Sequence, residues 1–367
     1  MSGAEPQILV AVRNGVGHLT LNRPAGLNAL TLVMVRQLQM QLDAWAQDPA
    51  IRAVVLRGVG DKAFCAGGDI RALYDSQRSG DDLHLRFLEE EYALDQCLHA
   101  YPKPVLALLD GYVLGGGMGL AQAASLRLVT ERTRMAMPEV GIGFFPDVGG
   151  SYFLPRLPGE LGLYLGVSGV QIGAGDALYT GLADHCIDSD RLTELDAALD
   201  RLPWSDSPDD DLRTLLAELA SGELPHAELP RLRPAIERCF AAPDLPAILA
   251  ALHAERQTDA ADWAERTLQL LGSRSPLAMA VTLELLRRGR HLSLADCFAL
   301  ELHLDRQWFA KGDFMEGVRA LIIDKDRTPR WNPPSLAELS PARVQAFFAG
   351  FRPGHAALGC TAHTSCH

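Results

Sequence analysis

Twice in this chain a short apolar strand runs into a glycine-rich loop that opens a helix, at residues 65–69 and again at residues 111–119. A loop of this kind leaves the first backbone N–H groups of its helix without intrahelical acceptors and pointing outward. Two such loops at equivalent places commit the chain to a repeated strand–turn–helix plan, an α/β fold.

The surrounding sequence repeats that plan. Residues 8–12 and 16–21 are apolar stretches separated by Asn14-Gly15, the pair that supplies positive φ in a tight hairpin. Thr31 is placed to cap a helix whose apolar residues Leu32, Val35, Leu38, Leu42 and Trp45 recur every three or four positions, and Asp48-Pro49 ends it. Residues 53–56 read as a buried strand. A helix through Leu85, Leu88, Tyr92 and Cys97 follows, then strand 105–109, the second glycine loop with its short helix, and strand 126–129.

From about Asp188 the sequence turns helical, charged and interrupted, with Pro203, residues 205–211 and residues 225–234 reading as flexible connections. Helical periodicity returns over 268–271, 277–286 and 297–309, and residues 331–334 end the ordered pattern. The expected organisation is a core over 1–190 that carries the site, a variable helical connection over 191–262, a C-terminal helical unit over 263–335 and a tail over 336–367.

A formal net charge of -12 argues against nucleic acid or an anionic membrane as partner, since both demand a basic face. No apolar run is long enough for a membrane helix, and residues 1–7 show neither a signal-peptide core nor transit-peptide arginines, so a cytoplasmic location is expected. The 7 cysteines are scattered without a C-x-x-C pair, which favours reduced thiols over disulfides or a zinc ribbon. Cys360, His363, Cys366 and His367 could grip a metal, but nothing apolar surrounds them; no metal and no cofactor is expected.

Gly67-Gly68-Asp69 allows a ligand to approach the backbone, so the N–H of Gly68 could face a developing negative charge; taken alone, it reads equally well as a structural turn. Gly115-Gly116-Gly117 puts a second donor at a helix N-terminus, and donors from two loops would form an oxyanion hole. A dinucleotide fingerprint fails here, because Leu120 stands where its third glycine should fall. Glu139, after Met137-Pro138, and Asp147, after Phe144-Phe145-Pro146, lie on one glycine-rich stretch flanked by apolar residues. Such carboxylates could share an apolar pocket where burial raises their basicity, or be solvated loop acids. Glu89-Glu90-Glu91 reads as a solvated helix face. Neither Ser151 nor Ser168 completes a nucleophile elbow, and Cys65 has no nearby histidine.

These residues together resemble the crotonase (enoyl-CoA hydratase/isomerase) superfamily: Leu21-Asn22-Arg23-Pro24 with Asn28-Ala29-Leu30, then Lys62 through Ile70, then Gly115-Gly116-Gly117. The resemblance implies a spiral of ββα units with a C-terminal helical region and a coenzyme A thioester as ligand. It also implies an oxyanion hole from the N–H groups of Gly68 and of the Gly116-Gly117 pair. Superfamily hydratases carry two catalytic glutamates, and the first falls on Gly119 here. The stretch 136–157 and the stretch 313–326 are similar to the 3-hydroxyisobutyryl-CoA hydrolase family, which implies thioester hydrolysis in valine breakdown. That likeness makes Glu139 and Asp147 the catalytic acids and Glu91 a pocket residue, against the reading of Glu91 from sequence alone. Ala66, Gly67, Asp69 and Ile70 would complete the substrate pocket, and Lys62, Arg71 and Lys325 would meet the coenzyme A phosphates. Superfamily members often form trimers, which makes a homo-oligomer an expectation. Two alternatives stand: an enoyl-CoA hydratase or isomerase using Glu139 as its single acid/base, and a coenzyme A thioester binding protein without turnover.

Overall fold

A computed structural model of the chain describes residues 5–354. Strands β1 (Ile8–Arg13) and β2 (Val16–Leu21) form an antiparallel hairpin. Asn14 and Gly15 both take positive φ at its turn (47° and 73°), the geometry that matches strand twist in a two-residue loop. Helix α1 (Leu32–Gln47) starts where the Thr31 side chain accepts the Met34 N–H and buries Val35, Leu38, Leu42 and Trp45.

Paired strands then alternate with helices. β3 (Ala53–Gly58) and β4 (Ala63–Cys65) precede α2 (Ile70–Ser79) and α3 (Leu83–His99); β5 (Val105–Leu109) and β6 (Tyr112–Leu114) precede α4 (Gly116–Ala123). β7 (Leu126–Val129) and β8 (Arg134–Ala136) lead to a 3-10 turn (Glu139–Ile142), α5 (Gly150–Phe153) and α6 (Leu161–Ser168). β9 (Ile172–Gly173), α7 (Ala174–Thr180) and β10 (His185–Cys186) finish the sheets. The first strand of each pair joins a sheet ordered β1-β2-β3-β5-β7-β10, parallel beyond the hairpin; the second joins a sheet ordered β4-β6-β8-β9. This alternation is the expected spiral of ββα units.

Strand β5 is buried throughout, and its period of two explains why. Val105, Ala107 and Leu109 face the main core, while Leu106 and Leu108 face a second cluster closed by α8 (Leu192–Leu199) and α9 (Pro208–Leu219). Helices α10 (Leu229–Phe240), α11 (Leu245–Glu255), α12 (Ala261–Gly272) and α13 (Pro276–Gly289) extend the main core; α10, α12 and α13 pack on α6, and α11 on α10, α12 and α13. α14 (Leu294–Lys311) lies on α3 and α5, followed by α15 (Phe314–Val318), a π-helical turn (Arg319–Ile323) and α16 (Pro341–Phe348).

Three local readings change. Residues 208–211 open α9, with Pro208 in the first turn beside Asp209, Asp210 and Asp211; a proline there lacks only an N–H the helix does not use, and acids favour the positive helix end. Residues 229–234 likewise belong to α10. Order continues past residue 334, because Ser340 caps α16 through the Arg343 N–H and the helix buries Val344, Phe347 and Phe348. The Cys360, His363, Cys366 and His367 tail lies outside the described residues.

Candidate active site

A cavity of about 610 Å³ opens where both glycine loops, α3, the 3-10 turn and the α14–α15 region converge. Ala66, Gly67, Gly68, Asp69, Ile70, Arg71, Glu91, Gly116, Glu139 and Asp147 line it. Gly117 does not line it: a Cβ there would run into the Cys65 carbonyl, so this glycine lets α4 press against β4. Lys62 and Lys325 are exposed and lie outside the lining.

The first loop is held by the segment before α1. Ala66 N–H donates to Leu27 O (3.0 Å), Leu30 N–H to Gly67 O (2.8 Å) and Asp69 N–H to Leu30 O (2.8 Å). Arg23 adds an ion pair to Asp69 at 3.0 Å, and Asn28 donates to the carbonyls of Val59 and Ala63 (3.1 and 2.8 Å). The Arg23 and Asn28 motif is thus a brace for the loop. Gly116 and Gly117 are the first two residues of α4, so their N–H groups have no acceptor within the helix.

The two loops approach backbone to backbone. A Cβ on Gly67 would lie 3.4 Å from Gly116 N, and one on Gly116 would lie 3.5 Å from Gly68 N. The room that side chains would take is filled by carboxylates: Glu139 Oε1 would be 2.7 Å from a Cβ on Gly115, and Glu91 Oε1 stands in the way of one on Gly116.

Glu139 begins the 3-10 turn, and its carbonyl accepts the Phe144 N–H (2.9 Å). Phe144 and Phe145 stack at 4.6 Å, Phe145 meets Trp308 edge-on at 5.0 Å, and Trp308 donates its indole N–H to Gly143 O (2.8 Å). Beyond Asp147 the loop is fixed by Glu301, which accepts the N–H groups of Gly149 (2.8 Å) and Ser151 (2.9 Å).

Glu91, Asp95, Glu139, Asp147, Glu301 and Asp305 are all buried. Tyr92 reaches both Asp147 (2.9 Å) and Asp305 (2.7 Å) through its hydroxyl. Burial, then the Asp147 charge, holds Glu139 well above the usual carboxylate range. Burial pushes Asp147 up to about 7 against the opposing Tyr92 hydrogen bond, and Glu301 up to about 8. Burial also raises Glu91, Asp95 and Asp305, with neighbouring carboxylates adding to it. The Cys65 thiol is pushed by burial up to about 12, which removes it as a nucleophile at neutral pH.

Within the acidic run, Glu89 pairs with Arg306 and Glu90 with Arg36 at the surface, while Glu91 turns inward to line the cavity. The residues that sequence reasoning missed are Tyr92 as a polar group, Asp95, Glu301 and Asp305. Their signal was an acid on an apolar helical stripe: Asp95 sits three positions after Tyr92, and Glu301 and Asp305, four apart, fall at helical spacing from buried Phe298 and Trp308.

Known proteins resemble this chain over most of its length. The chicken (Gallus gallus) protein named 3-hydroxyisobutyryl-CoA hydrolase, mitochondrial, is 39% identical over 343 residues, covering 93% of this chain and 88% of the relative. A solved structure titled as a carnitinyl-CoA dehydratase from Mycobacterium thermoresistibile superposes with a TM-score of 0.86 at 39% identity, covering 97% of this chain and 99% of the other. One titled as an enoyl-CoA hydratase from Rhodobacter sphaeroides 2.4.1 gives a TM-score of 0.84 at 38% identity, covering 94% and 97%. The profile of the enoyl-CoA hydratase/isomerase family matches residues 16–348, and the chain belongs to that family.

Proposed function

We propose that this protein hydrolyses an acyl-coenzyme A thioester whose acyl group carries a free hydroxyl, with 3-hydroxyisobutyryl-CoA of valine breakdown as its substrate. One observation carries the reading: two glycine loops meet backbone to backbone on a cavity that Glu139 and Asp147 also line. The substrate follows the chicken relative's name and the long match to it.

In this reading the thioester oxygen sits between the N–H groups of Gly68 and Gly116, with the Gly117 N–H behind them, and these donors stabilise negative charge as it develops. Glu139 takes a proton from water, the hydroxide oxygen bonds to the carbonyl carbon, and the C–S bond breaks as the thiolate leaves and is protonated. Alternatively the Glu139 carboxylate attacks directly, and water then cleaves the resulting anhydride; incorporation of labelled water oxygen into Glu139 in a single turnover separates the two routes. Burial suits Glu139 to either task by making it more basic than a solvated carboxylate. Asp147 bonds the acyl hydroxyl or orients the water. Arg71, which lines the cavity, and the exposed Lys62 and Lys325 are the proposed partners of the coenzyme A phosphates.

The two solved structures carry titles of hydration chemistry. Here the position of the first hydratase glutamate is Gly119, and a Cβ there would lie 2.7 Å from Val148 Cβ and 2.8 Å from Asp95 Oδ2. That crowding opposes a second carboxylate on α4. The test follows thiol release from 3-hydroxyisobutyryl-CoA and hydration of crotonyl-CoA side by side. Thiol release with little hydration supports the reading. Hydration without thiol release contradicts it, and neither activity leaves a thioester binding protein.

A further inference from the structure

A phenol has one proton to donate, yet the Tyr92 hydroxyl oxygen lies 2.9 Å from Asp147 Oδ2 and 2.7 Å from Asp305 Oδ2. One O–H cannot serve two ionised carboxylates. For both contacts to be hydrogen bonds, one must run the other way, with a carboxylic acid O–H donating into a lone pair of the phenol oxygen. All three groups are buried, so water offers no easy substitute.

We propose that Tyr92 and Asp305 are positioning residues for Asp147: Asp305 keeps its proton and donates it to the Tyr92 oxygen, which turns the Tyr92 O–H onto Asp147 Oδ2. The inference rests on the proposed working role of Asp147 in the cavity.

The surroundings decide which carboxyl is neutral. Asp305 is 0% exposed and does not line the cavity, whereas Asp147 lines it and is 7% exposed. Among the described residues Asp305 Oδ1 has no hydrogen-bond partner, so an ionised Asp305 would leave a buried anionic oxygen unsolvated. Around this trio α3 contributes Glu91 and Asp95, the loop at residue 139 contributes Glu139, and α14 contributes Glu301. The nearest cation on α14, Arg306, pairs outward with Glu89 at 3.0 Å, and its charge opposes the neutral form of Asp305 less strongly than burial and the Asp147 and Glu301 charges favour it. Among the described residues these buried acids have no basic hydrogen-bond partner, and protons are retained first where solvation is poorest. In accord with that order, burial and then the Asp147 charge hold Asp305 well above the carboxylate range, while burial brings Asp147 to about 7, the Tyr92 bond opposing the rise in both. The consequence is a fixed donor at one oxygen of Asp147, with its remaining lone pairs free to accept from a substrate hydroxyl or a water.

The test reads Asp147 itself. Its carboxyl stretch is isolated by difference infrared spectroscopy against Asp147→Asn and titrated in the wild type, Tyr92→Phe and Asp305→Asn, with thermal unfolding of each variant as a check on folding. In Asp305→Asn the amide N–H donates to the Tyr92 oxygen as the acid did, so Asp147 titrates within about twofold in proton concentration of the wild type. In Tyr92→Phe the charged form of Asp147 loses its donor, and its titration moves to higher pH by about tenfold in proton concentration. An Asp305→Asn shift as large as that of Tyr92→Phe overturns the proposal, because it makes Asp305 the acceptor and Asp147 the acid. An unmoved titration in Tyr92→Phe also overturns it. Should Tyr92→Phe fail to fold, the isosteric Asp305→Asn decides alone. The infrared readout needs no turnover, so absence of thiol release would sink the hydrolase reading without deciding this one.

Discussion

Oε1 of Glu91 stands where a Cβ on Gly116 would project, so a helix α3 carboxyl and a helix α4 backbone share one wall of the cavity. Gly116→Ala therefore pushes Glu91 off its place and disturbs the N–H beside it. The expected result is a loss of turnover of roughly 100-fold or more, the effect of misplacing one oxyanion donor, with about 1–3 kcal/mol of destabilisation from overpacking. Gly68→Pro, which deletes the N–H of the other loop, is expected to lose at least as much. Steady-state thiol release and denaturant unfolding check both.

The buried acids make stability fall as pH rises. Asp147 and Glu301 titrate at about 7 and about 8 when folded, above their ordinary 3.8 and 4.5, so over that interval the folded state binds more protons than the unfolded state. The slope of unfolding free energy with pH is then negative. Melting temperature is expected to drop between pH 7 and pH 9, above the range in which His18 and His99, held down to about 4 chiefly by burial, make stability rise with pH, and Glu301→Gln to flatten the upper part of that drop. A melting temperature that rises over this range would contradict the account.

Gly119→Glu is not expected to create a hydratase. Its side chain meets Val148 and the Asp95 carboxyl, which places a further acid against a buried one with no basic partner. Destabilisation of about 1–3 kcal/mol without gain of crotonyl-CoA hydration is the expected outcome, read by urea unfolding and by loss of the enoyl absorbance.

A pocket acid that bonds the acyl hydroxyl is left unpaired when that hydroxyl is missing. Isobutyryl-CoA should therefore be cleaved with a kcat/KM lower by more than about 100-fold than 3-hydroxyisobutyryl-CoA, and Asp147→Asn should narrow the gap. Equal rates on the two thioesters would remove Asp147 from that role.

The repeated plan was readable because β5 is a continuous apolar run and α1 keeps its buried residues on one helical face, both products of strong periodicity. The second strands were not. β4, β6 and β8 have three residues each, too few to show a period beside the adjoining glycines. In the cavity, the glycine loops, Glu139 and Asp147 could be picked out because glycines and acids amid apolar sequence are locally conspicuous. Glu91 could not be separated from Glu89 and Glu90 without the packing of α3 against α4 and α14 that turns one inward and leaves the others to arginines. Asp305 gains its meaning only where α14 brings it to Tyr92 across 213 positions of sequence, a contact that no local pattern encodes.

The central claim is that Glu139 drives thioester cleavage in this cavity. The most direct test is free-thiol release from 3-hydroxyisobutyryl-CoA by the wild type beside Glu139→Gln, which keeps the shape and removes the base. The account predicts steady release by the wild type and a fall of roughly 100-fold or more in the variant; release that persists in Glu139→Gln at the wild-type rate would contradict it.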